Sequence, residues 1–188
     1  MSKILIVNSG LKHTYSYLEP YMRRLDVFLK KNHAVVDIRD VNTFDERTFF
    51  SYDQIIFVFL NTLEGIPSTT LEIFQKLENQ KKNHQEVYTM IVCDEYEPGK
   101  CNYSMRIVKK WCEKENLQFK GSFLLGSGLV IMKSIRKYGV VAQIEKFASK
   151  VVSHQDVNMS FTLFTLSSFI KMGNYYWKNE MNKKRKEK

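Results

Sequence analysis

DQIIFVFL, residues 53–60, ends in six apolar residues in a row, three of them β-branched. Side chains alternate across a strand, so this run is apolar on both faces. Such a strand belongs in the middle of a sheet covered by helices on both sides, the situation of parallel strands joined by helical crossovers. VYTMIVC, residues 87–93, reads the same way. Between the two runs, Leu71, Phe74 and Leu77 recur at helical spacing, with Ser68 or Thr69 as a cap and Glu72 completing a capping box.

The pattern extends outward in both directions. KILIVN (3–8), AVVDIRD (34–40) and FKGSFLL (119–125) read as three further strands. Leu18, Tyr21, Met22, Leu25, Phe28 and Leu29 form a helical stripe after the first strand. Pro20 is tolerated only near a helix start, which places that start at Thr14–Tyr17. Ile107, Val108, Trp111 and Cys112 form another stripe, with Ser104 as its cap, and Val140, Val141, Ile144, Phe147, Ala148 and Val151 form a last one. Strict alternation of strand and helix predicts a three-layer α/β sandwich with right-handed crossovers. The expectation is a five-stranded parallel sheet, order 2-1-3-4-5, over residues 1–157. Residues 158–188 are expected outside it as a helical extension, apolar first and then basic.

Length and composition agree with this. The chain has 188 residues, 44% hydrophobic and 26% charged, which excludes a disordered or collagen-like protein. No apolar run reaches the roughly 18–20 residues of a membrane span. MSKILIVNSG lacks the length and cleavage site of a signal peptide, so a cytoplasmic location is expected. Three cysteines, Cys93, Cys101 and Cys112, form no CxxC pair and no zinc spacing; Cys93 and Cys112 read as small buried hydrophobes and no metal site is expected.

The net charge is +9, and Lys178–Lys188 alone holds six Lys or Arg against two acids. A basic tail suits nucleic acid, an anionic membrane surface or plain solvation. Aromatic residues do not alternate with its basic ones and Arg is scarce, so no nucleic-acid partner is expected. Phe161, Leu163, Phe164, Leu166, Phe169 and Ile170 precede Trp177 and the lysines. Such a segment can lie in a membrane interface. Packing across the domain or against a second copy is the preferred reading.

Ligands of open parallel sheets sit beyond the carboxyl ends of the strands. Three loops lie there: 9–17, 60–67 and 94–102. The first, SGLKHTYS, joins a strand to a helix start, which favours phosphate. It is neither GxxxxGK[ST] nor GxGxxG. An anion site and a plain hydroxyl-rich helix start both remain open from the loop alone. No GxSxG, HExxH or Cys/His pair is present, and no side chain is assigned a catalytic role.

Four stretches carry a resemblance to a known family: KILIVNSGLKHTYS, YDQIIFVFLNTLEGIPSTTLEIFQKL, EYEPGKCNYSMRIVKKWCEKENL and GSFLLGSG. Together they resemble the flavodoxin-like NAD(P)H-dependent oxidoreductases, the FMN reductase and quinone reductase group. The tail stretch FIKMGNYYWK resembles an extension of some members. The resemblance implies FMN, an NAD(P)H electron donor and a quinone or flavin as acceptor. It implies that Ser9, Lys12, Thr14, Tyr15 and Ser16 hold the phosphate. It places Leu60, Asn61, Thr62 and Leu63 beside the flavin ring, with Asp94, Glu95 and Tyr96 on its other edge. It also implies a homodimer. The chain departs from the family in having Leu60 where a proline is usual and no aromatic near Thr62. A relative that kept the fold and lost the flavin, serving as a binding module, is the alternative.

Overall fold

The structure, a computed structural model, describes residues 2–62, 65–78, 85–131 and 137–186. Six strands form one sheet: β1 (Lys3–Asn8), β2 (Val35–Asp40), β3 (Gln54–Asn61), β4 (Glu86–Cys93), β5 (Gln118–Leu125) and β6 (Val157–Phe161). All neighbours pair parallel, in the order β2-β1-β3-β4-β5-β6. The helices are α1 (Tyr15–Lys31), α2 (Glu46–Phe49), α3 (Ser68–Leu77), α4 (Asn102–Lys114), α5 (Gly128–Ile131), α6 (Lys137–Val152) and α7 (Leu166–Lys186).

The period-two reading of the strands is visible in the core. Ile4, Ile6, Ile56, Val58, Leu60, Met90, Val92 and Phe123 face one way, against Leu18, Tyr21 and Leu25 of α1 and Ile144 and Phe147 of α6. Leu5, Val7, Ile55, Phe57, Phe59 and Ile91 face the other way, against Ile73 and Phe74 of α3 and Val108 and Trp111 of α4. Phe74 and Trp111 stack with ring centroids 4.0 Å apart, and Phe57 meets both edge-on. Two buried faces make three layers, and all three cysteines lie buried within them.

The sheet has one strand more than expected. Val157–Phe161, at the start of the supposed extension, runs parallel to β5. Its burial alternates weakly, with Val157 buried, Asn158 and Ser160 exposed, and Met159 and Phe161 half-buried. A short edge strand with one polar face carries little apolar signal, so the run reads like part of a tail. A β-bulge prepares this edge. Val87 pairs with Phe119 and Tyr88 with Gly121, so Lys120 is the extra residue on β5. Gly121 sits at φ 122°, and a Cβ there would stand 1.8 Å from the Val157 carbonyl oxygen.

Helix starts also differ from expectation. Neither Ser68 nor Thr69 caps α3; Pro67 takes that position and no side chain bonds the first turn. Ser104 lies inside α4, buried, and donates to Oδ1 of Asn61. α1 begins at Tyr15, inside the expected window, but Pro20 falls in its interior rather than its first turn.

Gly121→Ala combines a left-handed backbone with a collision against main chain, so it is expected to destabilise the protein by about 2 kcal/mol or more. Thermal or urea denaturation checks this. A Gly121→Ala protein as stable as the parent would contradict the close approach of Gly121 to the Val157 carbonyl.

Candidate functional site

β1 and β3 are neighbours at the centre of the sheet, yet α1 packs on one face and α3 on the other. Their chains therefore part at the carboxyl edge, and the crevice between them is the topological switch point. Its floor is Asn8, Ser9, Leu60 and Asn61, all buried.

The first loop folds tightly over this floor. Lys12–Thr14 form a 3-10 turn that runs directly into α1. Thr14 donates its N–H and its hydroxyl to the Leu11 carbonyl, both at 2.7 Å. Gly10 crosses so closely that a Cβ would stand 2.8 Å from both Thr14 Oγ1 and Leu18 Cδ1. Ser9 is clamped from the start of α3. Its carbonyl accepts the Thr69 hydroxyl at 2.7 Å and faces the Thr70 hydroxyl at 2.9 Å. Thr70 Oγ1 is also 3.0 Å from Ser9 Oγ. Thr69, offered by the sequence as a possible cap of α3, and its neighbour Thr70 instead tie α3 to the end of β1. A Thr-Thr pair after Pro-Ser carries a capping signal in any context, so only the fold could reveal this partner.

The five residues expected around a phosphate thus divide. The hydroxyls of Ser9 and Thr14 shape the loop from inside and are buried. Lys12, His13 and Ser16 are exposed at the helix start. Neither the 3-10 turn nor the first turn of α1 contains an acid, and no side chain caps either. An uncapped, acid-free helix start with a lysine beside it attracts anions. Tyr15 and Ser16 line a cavity of about 380 Å³ with Asn8, Ile38, Arg39 and Asp40, between α1 and the end of β2. Burial, then the charge of Asp40, pushes the Tyr15 phenol up against the lowering effect of its bond to the Val41 backbone.

At the second loop, Leu60 and Asn61 are the last residues of β3. Asn61 Oδ1 is satisfied by Ser104, while its Nδ2 is buried without a partner. Thr62 bridges to Gly65, whose N–H donates to the Thr62 carbonyl at 3.0 Å. Leu63 lies outside the described residues.

Asp94, Glu95 and Tyr96 are half-buried in the third loop. The glycines after β5 let this loop close. A Cβ on Gly126 would stand 2.3 Å from the Tyr96 carbonyl, and one on Gly128 2.0 Å from Val92. Ser127 N–H donates to the Glu95 carbonyl, and Tyr21 of α1 donates its hydroxyl to the Gly128 carbonyl. Burial holds the Asp94 carboxyl above the usual carboxylate range, with backbone bonds opposing. The adjoining Cys93 thiol is held below its usual range, first by its hydrogen bond with Cys101. The residue that sequence reading missed is Phe169. It comes from α7 and packs on Tyr96, ring centroids 5.7 Å apart. Its sequence signals, a place in the apolar run 161–170 and in the stretch FIKMGNYYWK, do not point to Tyr96.

No family model matches this chain, and no curated protein does. Solved structures match it well. It is similar to oxidised flavodoxin 1 from Bacillus cereus, with a TM-score of 0.63 at 13% identity, covering 81% of this chain and 99% of that one. It is also similar to an azoreductase from Bacillus anthracis, with a TM-score of 0.58 at 10% identity over 82% and 100% of the two chains. A third likeness is to the NAD(P)H:quinone oxidoreductase from Methanothermobacter marburgensis, with a TM-score of 0.62 at 10% identity over 80% and 96%. The fold is flavodoxin-like, with a sixth strand.

Two outcomes follow from these contacts. Thr70→Val keeps the shape of the clamp and leaves the buried Ser9 hydroxyl unpaired, an expected loss of about 1–2 kcal/mol in chemical denaturation. No loss would mean that the clamp contributes nothing. Asp94 has a folded-state pKa above its unfolded one, so the native state holds its proton more tightly, and its contribution is lost as pH rises through the folded pKa. Asp94→Asn should therefore raise Tm at pH 7, and the gain should vanish in acid below the ordinary carboxylate pKa. A gain independent of pH would contradict burial as its cause.

Proposed function

We propose that the chain binds FMN at the switch-point crevice and transfers reducing equivalents from NAD(P)H to a small acceptor such as a quinone or a flavin. The observation that carries this reading is the start of α1, uncapped and free of acids, with Lys12 exposed beside it at the carboxyl edge between β1 and β3. The fold's likeness to flavodoxins, azoreductases and a quinone oxidoreductase supports it.

The residues fit such a group at both ends of the crevice, with roles redistributed. Lys12, Ser16 and the amides at the helix start would hold the phosphate. Ser9 and Thr14 would keep the loop in shape. The Thr62–Gly65 turn and the Asp94–Tyr96 loop would flank the ring, and Tyr96 supplies the aromatic surface that Thr62 lacks. FMN when bound would supply the redox chemistry, so no nucleophile is required of the chain. Two carboxyls, Asp94 and Glu95, near the ring would disfavour its anionic reduced form.

The non-catalytic reading has one observation in its favour: Phe169 already packs on Tyr96. A ring seated on Tyr96 would compete with that contact.

The test is a titration of FMN and of riboflavin, followed by quenching of flavin fluorescence. FMN should bind at least tenfold more tightly than riboflavin, and Lys12→Glu should abolish that difference while leaving riboflavin binding unchanged. A parent protein that binds neither flavin overturns the oxidoreductase reading in favour of the binding module.

A further inference from the structure

We propose that α7 is an interfacial helix that docks on an anionic lipid surface. α7 has two faces of different kinds. One is turned to the domain: Phe169 and Met172 pack on the core, and Phe169 touches Tyr96. The other carries Leu166, Ile170, Gly173, Trp177 and Met181, at spacings of 4, 3, 4 and 4 residues. At about 100° per residue these five fall within an arc of about 80°. Leu166, Ile170, Trp177 and Met181 are 51–62% exposed. Nothing lies within 4 Å of the place a Cβ on Gly173 would take, so the stripe is open along its length. From Asn174 onward no described residue of the helix is buried.

Exposed large side chains in a continuous line need an occupant. Charge selects it. Lys171 and Lys178 are exposed along one flank of the stripe, and the sequence from Lys178 to Lys188 holds six basic residues against two acidic ones. A second copy would set two cationic helices together within a protein of net charge +9. An anionic lipid surface accepts both features, taking the apolar stripe below the headgroups and the lysines among them. Trp177 suits the interface, with an apolar body and one N–H. Leu166, Ile170 and Met181 have no stacking value for nucleic acid. No helix among the described residues is long and apolar enough to cross a membrane, so α7 lies on the surface rather than through it. The stripe and the contact with Tyr96 occupy different faces, so docking leaves the Phe169–Tyr96 contact in place. This inference is independent of flavin binding.

The experiment uses the full chain and vesicles of equal parts phosphatidylglycerol and phosphatidylcholine, compared with phosphatidylcholine alone. At low salt, at least tenfold more protein should sediment with the anionic vesicles, and salt at about 0.5 M should release it. The chain has two tryptophans, and Trp111 is buried against Phe74, so a blue shift on binding reports Trp177. Ile170→Asp with Trp177→Asp should abolish sedimentation without changing the circular dichroism or Tm, because both side chains are exposed. Should that variant misfold, Lys171→Gln with Lys178→Gln, which leaves the stripe intact, should lower binding several-fold. Absence of binding to anionic vesicles, or equal binding to both compositions, overturns the proposal. So does a stable dimer that becomes monomeric in the Asp double variant, which would assign the stripe to a second copy. Binding of polyuridylate through the same residues without vesicle binding would overturn it in favour of nucleic acid.

Discussion

β1 and β3 lie side by side, buried on both faces, and their chains leave the sheet in opposite directions. The other features of the molecule follow from this parting. It separates α1 from α3 and so creates the two apolar layers. It opens the crevice at the carboxyl edge. It also obliges the ends of β1 and β3 to find partners for backbone groups no longer held in the ladder. The Ser9 N–H makes the last ladder bond, to the Val58 carbonyl, and the Ser9 carbonyl beyond it meets the hydroxyls of Thr69 and Thr70. These contacts close the floor of the crevice.

The two loops at this edge carry charges of opposite sign. The first loop presents Lys12 and His13 on an uncapped helix start, while the third presents Asp94 and Glu95. An elongated ligand with an anionic end and a polar aromatic end matches that gradient. Phe169 and Tyr96 add an aromatic wall at the far end. α7 therefore belongs to the edge of the site through one face, while its other face points to solvent.

Much of the fold was legible because burial on both faces leaves runs such as Ile55–Leu60 without alternation, and few structures other than a covered central strand accept them. The same rule failed at β6. VNMSF has one polar face and only one fully buried residue, Val157, so its apolar content resembled that of a tail. The candidate site was legible in its location and less so in its roles. Residue types identified Ser9, Thr14 and Ser16 equally as hydroxyl donors. Only the tertiary contacts separate them, turning Ser9 toward Thr70, Thr14 toward Leu11, and leaving Ser16 outside. The Thr69–Thr70 clamp and the Phe169–Tyr96 contact join residues about 60 and 70 positions apart, beyond the reach of periodicity or capping rules.

The central claim is that the crevice between the first and third loops holds an anionic, ring-bearing ligand. Backbone amide chemical shifts measured during addition of FMN test it most directly. The account predicts the largest shifts at Leu11–Ser16, at Asn61 and Thr62, and at Asp94–Tyr96, with α2 and the amino-terminal ends of the strands unmoved. Shifts confined to residues outside those three loops, or none at saturating FMN, would contradict it.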